Sequence, residues 1–309
     1  MSDLVLITGR DPVALARAAE KVNGGPIPWV ALEDENALRA SVWFASGALP
    51  EKPLDLPSLR WIQSAWAGVD RWLTRPEWRD GVVLTRTVAD FPERIAEYVF
   101  GQLLAATLDV PRARRQQAEE SWSRWIPGSL HGKGMLIAGY GAIGSRVAGV
   151  ARSMGMMVSG IRRGPVTPEE RTQGIESAEA LPRLLPHADV VVNLLPATPE
   201  TESFWSAERF ALLPEGGIFV NASRGPCVDD AALLAALERR RPALAILDVF
   251  REEPLPSGHP YWKNPSVWIT PHVAGLGDSE TEGSAFGENW KRQREGKPLL
   301  HVVGRDRGY

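Results

Sequence analysis

At 309 residues the chain exceeds the usual single-domain length, so two domains with separate cores are expected. A composition of 44% hydrophobic and 24% charged residues with a net charge of −3 argues against a polycationic nucleic-acid binder, a polyacidic tail and a disordered chain. The single cysteine, Cys227, rules out an intrachain disulfide and a cysteine-based zinc cluster, and no apolar run reaches the roughly 18 residues a membrane helix needs, so a soluble, unexported, cytoplasmic protein is expected.

Residues 4–8, 41–44, 59–64 and 82–85 read as strands and 12–22 as a helix, a βα pattern with loops punctuated by Pro26, Pro28, Pro50, Pro53 and Pro57. A long helix follows over 92–109. Pro92 sits near its start, where a missing N–H costs little, and Ile95, Val99, Leu103 and Leu104 recur at helical spacing. This helix is expected to lead between the domains, and a second helical stretch covers 112–125. Residues 135–163 then read as strand, glycine turn, helix and second strand, ending in Arg162 and Arg163. Strands at 189–194, 217–221, 245–249 and 267–269 and a helix at 231–239 continue the alternation, which implies a doubly wound parallel α/β sheet. A last helix around 280–295 is expected to return to the first domain. The predicted division is 1–100 with 281–309 against 101–280.

The most informative stretch is the glycine turn. Gly139, Gly141 and Gly144 match GxGxxG behind an apolar strand and ahead of a helix that includes Ala142 and Ile143. The first glycine permits the tight turn, the second lets backbone approach a pyrophosphate, and the third lets helix pack on strand, while the helix N-terminus offers free N–H groups to the phosphates. Where an acid usually meets the adenine ribose, this chain has Arg162 followed by Arg163. A guanidinium fork suits a 2′-phosphate, so NADP(H) is expected over NAD(H).

The chemistry should lie at the carboxyl ends of the later strands. One strand runs into Asn221, Ala222, Ser223, Arg224 and Gly225, another ends in Asp248 with Glu253 close behind, and a third ends in Thr270, Pro271 and His272. A cation, a carboxylate and an imidazole therefore gather. No HExxH or other paired metal-ligand spacing is present, and no metal is expected.

Ordered along the chain, AGVD at 67–70, the glycine turn, LLPATPET at 194–201, NASRG at 221–225, DVFREEP at 248–254 and TPHVA at 270–274 resemble the D-isomer-specific 2-hydroxyacid dehydrogenase family over nearly the whole chain. The arginine pair and the DRGY ending at 306–309 look like its NADPH-dependent glyoxylate/hydroxypyruvate reductases. The resemblance implies a Rossmann-type cofactor domain, a flavodoxin-like substrate domain, and Arg224, Glu253 and His272 as the catalytic set.

An imidazole with an ordinary pKa near 6.5 is a good proton donor near neutral pH, which suits His272 as general acid on a keto oxygen. Glu253 would orient the ring, with Glu252 as its nearest rival, and Arg224 would bind the carboxylate or polarise the carbonyl. The likeness further implies backbone amides of Ala67 and Gly68 cradling the carboxylate, and cofactor contacts from Leu195, Pro196, Thr201, Ala222, Ser223, Arg224 and His272. Trp66 reads either as a pocket wall or as a domain-interface anchor, and Asp248 either as a nicotinamide amide partner or as a turn former. The partners implied are a small 2-keto acid and a second copy of the chain, with 102–125 as the dimer surface; nucleic acid and membrane are not expected. Reduction of bulkier keto acids, a cofactor-sensing interaction protein on the same fold and methyl transfer are the competing readings.

Overall fold

The computed structural model describes residues 3–305, so the DRGY ending lies outside the described residues. The chain forms two compact units, one from the described parts of Met1–Phe91 and Gly277–Tyr309, the other from Pro92–Leu276. These divisions fall at 91/92 and 276/277 instead of the expected 100/101 and 280/281. The reason is packing: the connecting helix buries Ile95, Ala96, Val99, Phe100 and Leu103 in one core with Met135, Ile137 and Val147, so it belongs to the second unit almost from its start.

In the first unit, β1 (Val5–Thr8), β2 (Trp29–Val30), β3 (Val42–Ala45), β4 (Trp61–Ser64) and β5 (Val83–Arg86) form a parallel sheet of order β2-β1-β3-β4-β5. This is the flavodoxin-like order. Both faces are covered, which is why the strands read as continuous apolar runs. Val5, Ile7, Val42, Phe44 and Trp61 pack under helix α1 (Pro12–Asn23) and under Phe286 and Trp290 of the last helix, Ser279–Arg294. Leu6, Trp43, Ala45, Ile62 and Leu84 point the other way, against Trp72 and Trp78. Asp11 caps α1 by accepting from Ala14 N at 2.9 Å, and Gly24 ends it at φ 76°. The last helix lies close on α1 because Gly283 and Gly287 have no side chain: a Cβ would come within 2.5 Å of Leu15 O and 2.4 Å of Ala19 O, respectively.

The second unit starts with α2 (Phe91–Thr107) and α3 (Val110–Ala118). The helix expected over 112–125 stops at Ala118. Glu120 takes a left-handed φ of 50° and Ser121 N donates to Gln116 O at 2.9 Å, a helix-ending turn after which 121–130 has no regular structure. There follow β6 (Gly134–Ala138), α4 (Ala142–Ser153), β7 (Met157–Ile161), β8 (Ile175–Glu176), β9 (Val190–Asn193), β10 (Ile218–Asn221), β11 (Leu244–Leu247) and β12 (Val267–Ile269), all parallel in the order β12-β11-β10-β9-β6-β7-β8. Leu136, Ala138, Val191, Phe219 and Leu247 fill one face together with the buried Cys227, while Met135, Ile137, Val192, Val220 and Ile246 fill the other. The chain runs outward from β6 to β8 and returns to β9 on the other side of β6, so the switch point of this doubly wound sheet lies at the carboxyl ends of β6 and β9. Among the described residues no helix is long and apolar enough to cross a membrane.

Candidate active site

The glycine turn occupies that switch point. Gly139 has φ 103°, and a Cβ on it would lie 2.5 Å from Leu194 O; a Cβ on Gly144 would lie 2.5 Å from Gly139 O. Both close approaches require glycine. At Gly141 the situation is reversed, since a Cβ would meet nothing within 4 Å. Helix α4 starts there without a side-chain cap, with Ala142 exposed. The open space together with the uncapped first turn fits a pyrophosphate approaching along the backbone.

Arg162 and Arg163 follow β7, and each meets an acid. Arg162 Nη1 donates to Glu170 Oε1 at 2.5 Å, and Arg163 Nη1 lies 3.7 Å from Glu200. Glu170 also accepts from Thr167 N, the cap of its own short helix, and this bond and Arg162 hold its carboxyl below its ordinary pKa. A 2′-phosphate arriving here would share the guanidinium groups with two carboxylates.

Leu195 and Pro196 leave the end of β9. Leu195 O accepts from the Ser223 hydroxyl, and Pro196 O accepts from Thr201 Oγ1 at 2.5 Å. The hydroxyls of Thr201 and Ser223 are thus engaged within the loops. Beneath them lies a pairing the sequence did not suggest, between Asn193 and the Asn221 that opens the NASRG segment, register partners at the ends of β9 and β10. Their exposures are 0% and 1%. Asn193 Nδ2 donates to Asn221 Oδ1 at 3.0 Å, and Asn221 Nδ2 donates to Arg224 O at 3.1 Å. A polar residue closing each apolar strand, VVVN and IFVN, is the sequence signal that could have found them. Their bonds hold the loop carrying the buried Ala222 and the half-buried Arg224, whose Nη1 donates to Ser223 O at 2.7 Å.

Gly225 seats that loop on the next one, since a Cβ would lie 1.9 Å from the carbonyl carbon of Phe250. Phe250 N in turn donates to Glu253 Oε1 at 3.0 Å, and Glu253 Oε2 lies 2.8 Å from His272 Nδ1. Glu253 is therefore the carboxylate on the ring. An ionised carboxylate only accepts, so Nδ1 carries the proton of this bond.

His272 has φ 54°, a left-handed conformation that its neighbours must enforce. Asp248, 1% exposed, does so: its carbonyl accepts His272 N at 2.9 Å, and its carboxylate accepts Val273 N, Ala274 N and Thr270 Oγ1 at 2.9, 2.9 and 2.6 Å. Of its two sequence readings, turn formation is the one these bonds display. Thr270 has one hydroxyl proton, and Asp248 takes it, so Tyr98 donates to Thr270 at 2.7 Å. Burial pushes the Tyr98 pKa well up, which keeps that donor protonated. The sequence names Thr270 only as the residue ending its strand and does not single out Tyr98.

Trp66, Ala67 and Gly68 lie in the other unit, in the half-buried loop after β4. The Arg71 guanidinium stands 5.6 Å from the Trp66 ring centre, and Arg86 Nη1 donates to Ala67 O at 3.0 Å.

The chain is similar to known proteins over most of its length. Residues 100–274 match the model of the D-isomer specific 2-hydroxyacid dehydrogenase, NAD binding domain. Glyoxylate/hydroxypyruvate reductase A of Yersinia enterocolitica is 32% identical over 220 residues, 70% of this chain and 69% of that protein. Two crystal structures superpose at a TM-score of 0.85 over all of both chains: a D-isomer specific 2-hydroxyacid dehydrogenase of Xanthobacter autotrophicus Py2 with NADPH and MES, 30% identical, and the NADPH-dependent glyoxylate/hydroxypyruvate reductase of Sinorhizobium meliloti with NADP and sulfate, 28% identical. With a glycine turn at the switch point, a Glu253–His272 pair at neighbouring strand ends and these matches, the chain belongs to the D-isomer specific 2-hydroxyacid dehydrogenase family.

Proposed function

We propose that this protein reduces a small 2-keto acid, glyoxylate or hydroxypyruvate, to the D-2-hydroxy acid with NADPH. The observation that carries the reading is the 2.8 Å contact between Glu253 and His272 Nδ1, which leaves Nε2 as the proton-exchanging nitrogen. Gly139, Gly141, Ala142, Ile143 and Gly144 would hold the pyrophosphate, Arg162 and Arg163 the 2′-phosphate, and Leu195, Pro196, Thr201, Ala222, Ser223 and Asp248 would flank the remainder. When bound, the nicotinamide supplies a hydride to the carbonyl carbon. His272 Nε2 then gives its proton to the carbonyl oxygen, and the hydroxy acid has gained one hydride and one proton. Arg224 binds the carboxylate and polarises the carbonyl, and the amides of Ala67 and Gly68 hold the carboxylate, with Trp66 limiting the size of the acid.

The cofactor assignment draws on the arginine pair and on the NADPH and NADP bound in the two crystal relatives. The test is loss of NADPH and, in parallel, NADH absorbance with glyoxylate, hydroxypyruvate, pyruvate and phenylpyruvate. Fast NADPH oxidation with the two small acids is expected. NADH preference would overturn the cofactor assignment, and preference for phenylpyruvate the substrate assignment. His272→Gln should abolish turnover while NADPH still binds; full turnover would remove the histidine from its role. We also propose a two-fold homodimer through 102–125, a surface that includes Trp122 at 90% exposure. A monomer on light scattering would refute it.

A further inference from the structure

Arg86 closes β5 in the first unit, and its guanidinium is half-buried there at a cost in hydration. Among the described residues no carboxylate is paired with it by hydrogen bond or salt bridge. It lines a cavity of 450 Å³ that also presents Gln63, Asn289, His301 and the carboxylates of Asp90, Glu280 and Glu288. His301 carries no negative charge in either protonation state, and partial burial, and then the charge of Arg86 itself, hold its imidazole below the ordinary pKa. The hydrogen bond described for the guanidinium is the one to Ala67 O.

That bond has a directional consequence. The carbonyl of Ala67 and the N–H of Gly68 belong to one planar trans peptide and point to opposite sides of the chain. Holding the carbonyl therefore aims the Gly68 N–H away from Arg86. Glycine at this position gives the peptide little conformational preference of its own, so an external clamp is what fixes its rotation. The start of the loop is pinned separately, with Trp66 N donating to Ser64 Oγ at 3.3 Å.

We propose that Arg86 is the positioning residue of the 65–69 loop, presenting the Gly68 amide to the carboxylate of the keto acid and so setting substrate affinity. The inference rests on the proposed reductase function. A guanidinium suits the task better than an ammonium, since its planar group loses less freedom per bond.

The test compares Arg86→Met and Arg86→Lys with the unaltered enzyme. Losing a charge-assisted bond should raise KM for glyoxylate roughly tenfold in Arg86→Met, with kcat and the NADPH Kd from fluorescence titration within about twofold. Arg86→Lys, which keeps a donor of similar reach, should recover most of the loss. Through-space attraction between Arg86 and an anionic substrate would give a KM ratio that collapses at 1 M salt, where the screening length is about 3 Å; a direct clamp gives a ratio that persists. If Arg86→Met does not fold, Arg86→Gln, too short to reach the carbonyl, carries the same expectation. An unchanged KM, a collapse in salt, or an equal fall in kcat and kcat/KM would overturn the proposal. An unaltered enzyme that reduces no keto acid would instead overturn the proposed function.

Discussion

Gly225 tests how the loop carrying Arg224 is seated. A Cβ at this position would lie 1.9 Å from Phe250 C, 2.1 Å from Phe250 O and 2.3 Å from Arg251 N. Carbon–carbon contacts settle at about 3.5 Å, so the loop and the 250–251 peptide would have to part by roughly 1.5 Å. All three obstacles are backbone atoms, and no rotamer change can yield the space. The displaced peptide includes the Phe250 N–H that holds Glu253 Oε1, so Arg224 and the carboxylate on His272 would move relative to each other. A misplacement of about 1 Å costs on the order of 100-fold in rate, and overpacking costs about 1–3 kcal/mol of stability. Gly225→Ala is therefore expected to lose about 100-fold or more in kcat/KM for glyoxylate and to melt a few degrees lower. The assay pairs steady-state kinetics with thermal melting on the same sample, so that lost fold and lost geometry are separated. A folded Gly225→Ala enzyme with unaltered kcat/KM would refute the reasoning.

Other expectations follow from the same contacts. Gly287→Ala should destabilise by about 1–2 kcal/mol, because overpacking against Ala19 O exceeds the helix-propensity gain, whereas Gly149→Ala in α4, with nothing within 4 Å of its Cβ, should stabilise by about 0.5–1 kcal/mol. Equal shifts in a thermal melt would refute the close packing of the last helix. Thr270→Val leaves Tyr98 and Asp248 each short of a partner, so kcat should fall roughly tenfold with KM little changed, and Thr270→Ser should retain activity; equal kcat in both variants would contradict this. His301, with its pKa lowered in the fold, binds its proton less readily folded than unfolded, so its contribution is present above the ordinary value near 6.5 and is lost as pH falls through the lower folded value. His301→Asn, which tolerates the φ of 55°, should flatten the decline in Tm from pH 7 to pH 5, and an unaltered slope would show that His301 has no part in it.

Much of the scaffold was legible because its signals are local. Strands buried on both faces read as apolar runs, and the glycine turn shows itself within six residues. The end of α3 was not legible: nothing in Glu120 announces a left-handed residue, and only the six-residue turn to Gln116 stops the helix. The ambiguity between Glu252 and Glu253 was likewise beyond sequence, since both stand beside each other and only the loop geometry selects the one that reaches His272.

The sequence by itself determined two α/β units, the place of the nucleotide turn, and which strand ends carry an arginine, a carboxylate and an imidazole. These follow from hydrophobic period and from residue types that lie side by side. Tertiary structure alone decided what holds them. Tyr98 meets Thr270 across 172 residues of chain, Asn193 meets Asn221 across 28, and Arg86 meets Ala67 across 19. Such bonds depend on strand order, register and the angle at which a helix crosses a sheet, quantities set by how whole elements pack and invisible in any one segment.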